Sequence, residues 1–235
     1  VKNSPNAKII SFSGIDGAGK STQIEALQSW LEDAGLRVSI LTMWDDIVVG
    51  SRFREVASRR AFRGDQGIGS PDRPLHRRDK NVTAWPLTLI RVGLYLADAV
   101  SLASRIARLC SHSDDDVVIF DRFLYDELAN LPLTHTWARN FVRLLLRMVP
   151  KIDIAFLVDA SPEAAHARKP EYPLEFVRRN RQAYLTLCEI VGDICVVEPG
   201  TTDGMQTAIR AQADKVLLMT RAPSIAPDRL AVIRP

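Results

Sequence analysis

The run Gly14-Ile15-Asp16-Gly17-Ala18-Gly19-Lys20-Ser21-Thr22 restricts what this chain can fold into more than any other stretch. It fits the phosphate-binding pattern Gly-x-x-x-x-Gly-Lys-Ser/Thr. Gly14, Gly17 and Gly19 permit backbone conformations that turn successive N–H groups toward one anion. Lys20 supplies a point charge for β- and γ-phosphates, and the Ser21 hydroxyl is placed to coordinate Mg²⁺. Ala18 and Thr22 belong to the same cradle. The flanks agree with this reading. Ala7 to Ser13 reads as a buried strand, while Ile24, Leu27, Leu31 and Ala34 repeat at helical spacing and Gly35 is a natural stop. Strand, glycine loop and helix in that order aim the positive end of a helix dipole at the phosphates. A glycine-rich turn with an incidental lysine would not need that context. The sequence predicts a nucleoside triphosphate site served by ATP and Mg²⁺.

At 235 residues the chain can bury the core of one large α/β domain. A hydrophobic share of 46% and a charged share of 25% are ordinary for a globular protein. The net charge of +3 falls short of the basic stripe of a nucleic-acid binder, so a nucleic-acid partner is not expected. Cys110, Cys188 and Cys195 lack paired or metal-type spacing and read as buried free thiols in a reducing compartment. Val1 to Asn6 lack the apolar core of a signal peptide, and Pro86 to Leu109 is interrupted by Arg91, Asp98 and Arg105. The expectations are no membrane partner and a cytoplasmic location.

Further along, apolar strands alternate with helical patterns. Arg37–Leu41, Val117–Phe120, Ile152–Val158 and Ile194–Val197 read as the next strands. Helices are predicted at about 51–63, 86–109, 134–148, 174–190 and 204–219. The stripe of Trp137, Phe141, Leu144, Leu145 and Met148 is read as core. Short strands joined through longer helices predict a three-layer α/β fold, a five-stranded parallel sheet covered on both faces. Ligands in such sheets bind beyond the carboxyl ends of the strands. Two stretches break the rhythm. Arg59 to Arg78, rich in Arg, Gly and Pro, reads as a loop or insertion, and Arg221 to Pro235 reads as a proline-containing tail. The expected organisation is one domain over 1–220 followed by the tail at 221–235.

Asp121-Arg122 ends the third strand. A carboxylate there can hold a Mg²⁺-bound water or fix the neighbouring arginine, and Arg122 suits a phosphate oxygen pair. The alternative is an ion pair that caps the sheet edge. Ser161-Pro162-Glu163 has the N-cap, N1 proline and acidic first turn of a short helix that ends in Arg168 and Lys169. Arg178, Arg179 and Arg181 follow after two prolines. At least one of these five basic residues is expected on phosphate, and spacing does not choose between them.

Phosphate loop, Asp-Arg pair and basic hinge, in that order, resemble the thymidylate kinase family. The likeness runs from about Lys8 to Met219. It is carried by Phe12 to Thr22, by Asp121-Arg122-Phe123, and by Val158-Asp159 through Pro162-Glu163, Arg168 and the Arg-x-x-x-x-Tyr of Arg179 to Tyr184. The resemblance implies a P-loop NTPase fold with a small helical lid at about 160–182. It implies transfer of the γ-phosphoryl of ATP to dTMP, and a dimer. It places Asp16 near the acceptor sugar or the metal, Arg122 near the acceptor phosphate, and Arg168 over the adenine or phosphates. Lys20, Arg122, Arg168 and Asp16 are then the candidate catalytic residues, and Ser21 and Asp121 the candidate metal ligands. Gly17 stands where some members carry arginine, so the lid is expected to supply that charge.

The acceptor side departs from the family pattern. Met43-Trp44-Asp45-Asp46 stands in place of an arginine-bearing turn, and Tyr95-Leu96-Ala97-Asp98-Ala99 stands in place of Phe-x-Ala-Asp-Arg. Trp44, Asp45, Tyr95 and Asp98 join Asp16 and Arg122 as candidate acceptor contacts. Tyr95 can stack on a base or pack in the core. A kept donor half with an altered acceptor half leaves three readings open. They are a nucleoside monophosphate kinase with dTMP as the default acceptor, a same-fold kinase for a sugar or metabolite hydroxyl with Asp45, Asp46 or Asp98 as base, and a non-catalytic ATP-binding switch.

Overall fold

The computed structural model describes residues 7–43, 85–112 and 114–221. The predicted helix at 51–63, the Arg-rich stretch at 59–78, the tail beyond Arg221, and Trp44, Asp45 and Asp46 lie outside the described residues.

Five strands are present: β1 (Lys8–Ser13), β2 (Val38–Thr42), β3 (Val117–Asp121), β4 (Ile154–Val158) and β5 (Ile194–Val197). They form one parallel sheet in the order β2-β3-β1-β4-β5. β1, β3 and β4 are covered on both faces, so they read as near-continuous apolar runs, whereas edge strands β2 and β5 are only partly buried. The described helices are α1 (Lys20–Asp33), α2 (Trp85–His112), α3 (Leu124–Leu128), α4 (Thr136–Met148), α5 (Pro162–Arg168), α6 (Leu174–Val191) and α7 (Thr202–Arg221). This is the predicted α/β architecture.

β1 is central. Its register sets Phe12 opposite Asp121 on one side and opposite Phe156 on the other. The Phe12 and Phe156 rings lie 5.1 Å apart at the centre of the core, both fully buried. The carboxyl ends of β1, β3 and β4 therefore come out side by side, with Gly14, Arg122 and Asp159 immediately after them. At the opposite end Asp153 accepts hydrogen bonds from the Ile9 N–H and the Lys8 ammonium, both at 2.8 Å. β4 starts at Ile154, two residues after the predicted start.

Two sequence readings need correction. The stripe on α4 is core only in part: Leu145 is buried and Phe141 packs half-buried against the core, but Trp137, Leu144 and Met148 are exposed, at 44%, 51% and 39%, and Ala138 and Val142 complete the buried face. An apolar periodicity gives a helix its two faces but not which neighbour, if any, covers the larger one. The three cysteines are free as expected, but each is only half-buried. The short helix α3 had no sequence signal, because five residues are too few to show a period.

Phe156 is fully buried against Phe12, so Phe156→Ala is expected to cost about 3–5 kcal/mol. Thermal unfolding followed by circular dichroism should show Tm lowered by roughly ten degrees.

Candidate active site at the phosphate loop

The loop after β1 bends as its glycines demand. Gly14, Gly17 and Gly19 all have positive φ, at 144°, 83° and 93°. Two of them also answer to sterics. A Cβ on Gly14 would lie 2.5 Å from the Val158 carbonyl oxygen, and one on Gly17 would lie 2.3 Å from that of Ala165. The end of β4 and the backbone of α5 can therefore close on the loop only because these residues have no side chain.

Helix α1 begins at Lys20 with Gly19 as N-cap, no side-chain cap and no acidic residue in its first turn. Its leading N–H groups thus remain for an anion. The Lys20 ammonium spans the loop and donates to the carbonyls of Gly14 and Ile15, both at 2.8 Å. Burial lowers its pKa to about 8, the nearby Arg122 adds to that, and the carboxylates of Asp126, Asp16 and Asp121 oppose it. Ser21 and Thr22 are exposed on the first turn. These features fit a triphosphate. They fit Mg²⁺ as well, since that ion keeps most of its waters and takes one or two protein ligands beside the phosphates. Ser21 and Asp121 are the groups on hand.

Arg122 is the only non-glycine residue at positive φ among the described residues, at 68°. Its N–H bonds the Phe12 carbonyl at 3.0 Å, which continues the β1–β3 ladder for one more residue. The chain then turns, and the guanidinium is held between two carboxylates. One arm donates to Asp16, in the phosphate loop, and the other to Asp126 at 3.3 Å. Burial alone would lower the Arg122 pKa, but Asp126 and Asp16 outweigh it and raise it, so the guanidinium stays charged.

From the other side comes the short helix α5. Ser161 caps it by accepting from the Ala164 N–H at 3.2 Å, with Pro162 at its start, as read from the sequence. Its last residue, Arg168, donates to the Gly17 carbonyl at 2.7 Å. The other basic residues are engaged elsewhere. Arg181 makes a bidentate pair with the buried Asp159, at 2.7 and 2.6 Å, Arg178 pairs with Glu163 at 2.9 Å, and Lys169 pairs with Glu171 at 3.4 Å. Arg179 is exposed. Of the five basic candidates, Arg168 is the one whose hydrogen bond reaches the loop.

The structure thus gathers Asp16, Lys20, Arg122 and Arg168 around the phosphate loop, with Asp121 beside Arg122 at the end of β3. Tyr95 and Asp98 are buried on α2. Burial pushes the Tyr95 hydroxyl pKa up, Glu127 raises it further, and Asn130 hydrogen-bonds the hydroxyl. One polar residue escaped the sequence reading altogether. Asp126 is buried beside the loop and accepts from Ser13, Phe123, Tyr184 and Arg122. The i,i+4 spacing of Arg122 and Asp126 was the available signal.

A thymidylate kinase from Prochlorococcus marinus (strain AS9601) is 31% identical over 174 residues, spanning 71% of this chain and 73% of its own. The chain belongs to the thymidylate kinase family. That makes it a kinase of the nucleoside monophosphate kinase type. A probable thymidylate kinase from Methanosphaera stadtmanae is 26% identical over 213 residues, covering 88% of this chain and 98% of its own. The crystal structure of thymidylate kinase from Ehrlichia chaffeensis superposes with a TM-score of 0.55 at 18% identity, covering 88% of this chain and 99% of that one, and so shares the fold. A family model described as Methylmalonyl Co-A mutase-associated GTPase MeaB matches residues 1–46. That stretch holds β1, the phosphate loop, α1 and β2, and stops short of both Arg122 and α5.

A bound triphosphate should raise the depressed Lys20 pKa again, so binding above about pH 8 must take up a proton. Affinity for ATP is therefore expected to fall as pH rises past that value. Calorimetry in buffers of different ionisation enthalpy should show proton uptake approaching one near pH 9 and little from this group near pH 6.5. The uptake near pH 9 should vanish in Lys20→Ala.

Proposed function

We propose that this protein transfers the γ-phosphoryl group of ATP to dTMP, giving dTDP and ADP, with Mg²⁺ as cofactor. The observation that carries the reading is the convergence of Lys20, Arg122 with Asp16, and Arg168 at one loop in a chain of this family. Phosphoryl transfer asks a protein mainly for positioning and charge, since the reacting phosphoryl spreads its charge over three oxygens. Mg²⁺, when bound through Ser21 and water held by Asp121, neutralises charge between the β- and γ-phosphates.

The loop N–H groups and Lys20 hold the donor from one side. Arg168 closes from the lid and covers the same phosphates, and the lid backbone lying on Gly17 excludes water that would otherwise hydrolyse ATP. Arg122 faces the acceptor phosphate from β3, with Asp16 fixing its orientation and reaching toward the acceptor sugar. Tyr95 and Asp98, on α2, are the remaining acceptor-side candidates among the described residues. A phosphate acceptor needs no general base, which agrees with a site whose reacting edge is lined by arginines. No observation favours the hydroxyl-acceptor or the switch reading. The reading takes 1–220 as one kinase domain with its lid at about 160–182, and places it in the cytoplasm, where free thiols such as Cys110, Cys188 and Cys195 persist.

ADP release coupled to a chromogenic readout should require dTMP and Mg-ATP together, with other nucleoside monophosphates far poorer. Lys20→Ala should lower kcat by about a hundredfold or more while the circular dichroism spectrum stays unchanged. Release of ADP without dTMP, or with a sugar instead, would overturn the reading.

We also infer a homodimer formed through α2. The outward row of this helix is Gly93, Ala97, Val100, Ser104 and Ala107, all exposed, with Val100 at 56%. Small apolar side chains along one long helix let a second copy approach closely in an isologous contact. Sedimentation equilibrium should give a dimer for the native chain and a monomer for Val100→Arg.

A further inference from the structure

Asp126 does no work in the mechanism above, yet it is the most heavily bonded side chain near the reacting groups. Its carboxylate is buried, with only 4% of the side chain exposed. One oxygen accepts from the Ser13 hydroxyl at 2.7 Å and from the Phe123 N–H at 3.0 Å. The other accepts from the Tyr184 hydroxyl at 2.7 Å and from Arg122 at 3.3 Å. Ser13 is the last residue of β1 before the phosphate loop, Phe123 follows β3, and Tyr184 lies on α6, the helix that follows the lid. A single carboxylate therefore joins loop, strand end and lid helix.

We propose that Asp126 is the positioning residue for Arg122, and that through Tyr184 it sets Arg122 and the lid helix in one register. This rests on the kinase reading given above. Arg122 has a backbone conformation that a non-glycine residue adopts at a cost of about 1–2 kcal/mol, and its side chain is held at both ends by carboxylates. Asp16 sits on the loop that takes the donor, so its end of the pair is open to whatever binds there. Asp126 faces no such exchange. It is the anchor that keeps the guanidinium aimed into the crevice when a substrate phosphate competes for the other arm. A buried carboxylate with four donors also tolerates little displacement, because any donor it loses is left unsatisfied. Movement of α6 is thus felt at Arg122.

Asp126→Asn tests this with little change of shape. The amide has one acceptor and one donor where the carboxylate has two acceptors. The Phe123 N–H is fixed in the main chain and keeps the oxygen. The NH₂ group then faces Tyr184, whose hydroxyl can turn to accept, and Arg122, which cannot. The variant should release Arg122 while the Ser13, Phe123 and Tyr184 contacts are kept. With dTMP and Mg-ATP we expect kcat/KM for dTMP lowered by about 10–100-fold and KM for ATP changed by less than about threefold. In an Arg122→Ala background the same substitution should change activity less than about twofold, because the two residues act as one unit.

A second readout does not depend on the acceptor. Nitrogen-15 spectra of the arginine side chains, with Arg122 assigned by its loss in Arg122→Lys, should show hindered guanidinium rotation in the native protein and faster rotation in Asp126→Asn. Equal losses with and without Arg122, or unaltered Arg122 rotation, would overturn the proposal. Should native protein not phosphorylate dTMP, the functional reading fails while the nitrogen-15 spectra still decide the role of Asp126. If the amide variant does not fold, Asp126→Ser carries the same expectation, since its single hydroxyl can serve Phe123 but not reach Arg122.

Discussion

The parallel pairing of β1 between β3 and β4 is the constraint from which the site follows. It fixes three strand ends at one height, and the residues that leave those ends become neighbours whatever their distance in sequence. Ser13 leads into the phosphate loop, Asp121 into Arg122, and Val158 into Asp159, whose bidentate pair with Arg181 ties α6 to the strand before the lid. A slip of one residue between β1 and β3 would turn Asp121 to the other face of the sheet and carry Arg122 away from Asp16. The packing of Phe12 on Phe156 pins the other pairing, that of β1 with β4. Core and chemistry share the same strand.

Close approach of backbones is the second element. The carbonyls of Val158 and Ala165 lie where a Cβ on Gly14 or Gly17 would be. The loop is therefore shaped by its fit against β4 and α5 as much as by the phosphate it is built to hold. Arg168 then reaches the Gly17 carbonyl from the same contact. Arg168 stands on α5, and α5 can come close enough to set that charge at the loop only because position 17 is glycine. The two facts are one arrangement.

What the sequence made legible divides along physical lines. The sheet, the helices that cover it and the phosphate loop were all readable, because alternating periods and a glycine-lysine spacing are local signals. The Ser161 cap and the Gly35 stop were readable for the same reason, and Gly35 does take positive φ, at 80°. The outward turn of Trp137, Leu144 and Met148 was not, since a periodic stripe has no address in three dimensions. Asp126 was missed because its one local signal, the i,i+4 spacing from Arg122, is common on helices and weak. Its importance comes from Ser13, 113 residues away, and Tyr184, 58 residues away, and only the fold brings them together. Singling out Arg168 among five basic residues had to wait for its own contact with Gly17 and for the partners of Lys169, Arg178 and Arg181.

The same division explains why donor and acceptor halves depart so differently from the family pattern. The donor half is made mostly of main-chain N–H groups, which any residue supplies. Its constraints are therefore steric, and they fall on a few positions that must be glycine, lysine or a small hydroxyl residue. A motif of that kind is either kept or lost. In the proposed reaction the acceptor half would draw on side chains from separate elements: Asp16 from the loop, Arg122 from the end of β3, and α2 with its buried Tyr95 and Asp98. Each of these can be exchanged if another element supplies an equivalent charge or surface, as Ala99 and Met43-Trp44-Asp45-Asp46 in place of arginine-bearing patterns illustrate. Two carboxylates holding one arginine form such a local solution. They hold a charge in position without calling on arginines from elsewhere in the chain, and they do so from residues, Asp16 in the phosphate loop and Asp126 on α3, that follow closely on β1 and β3.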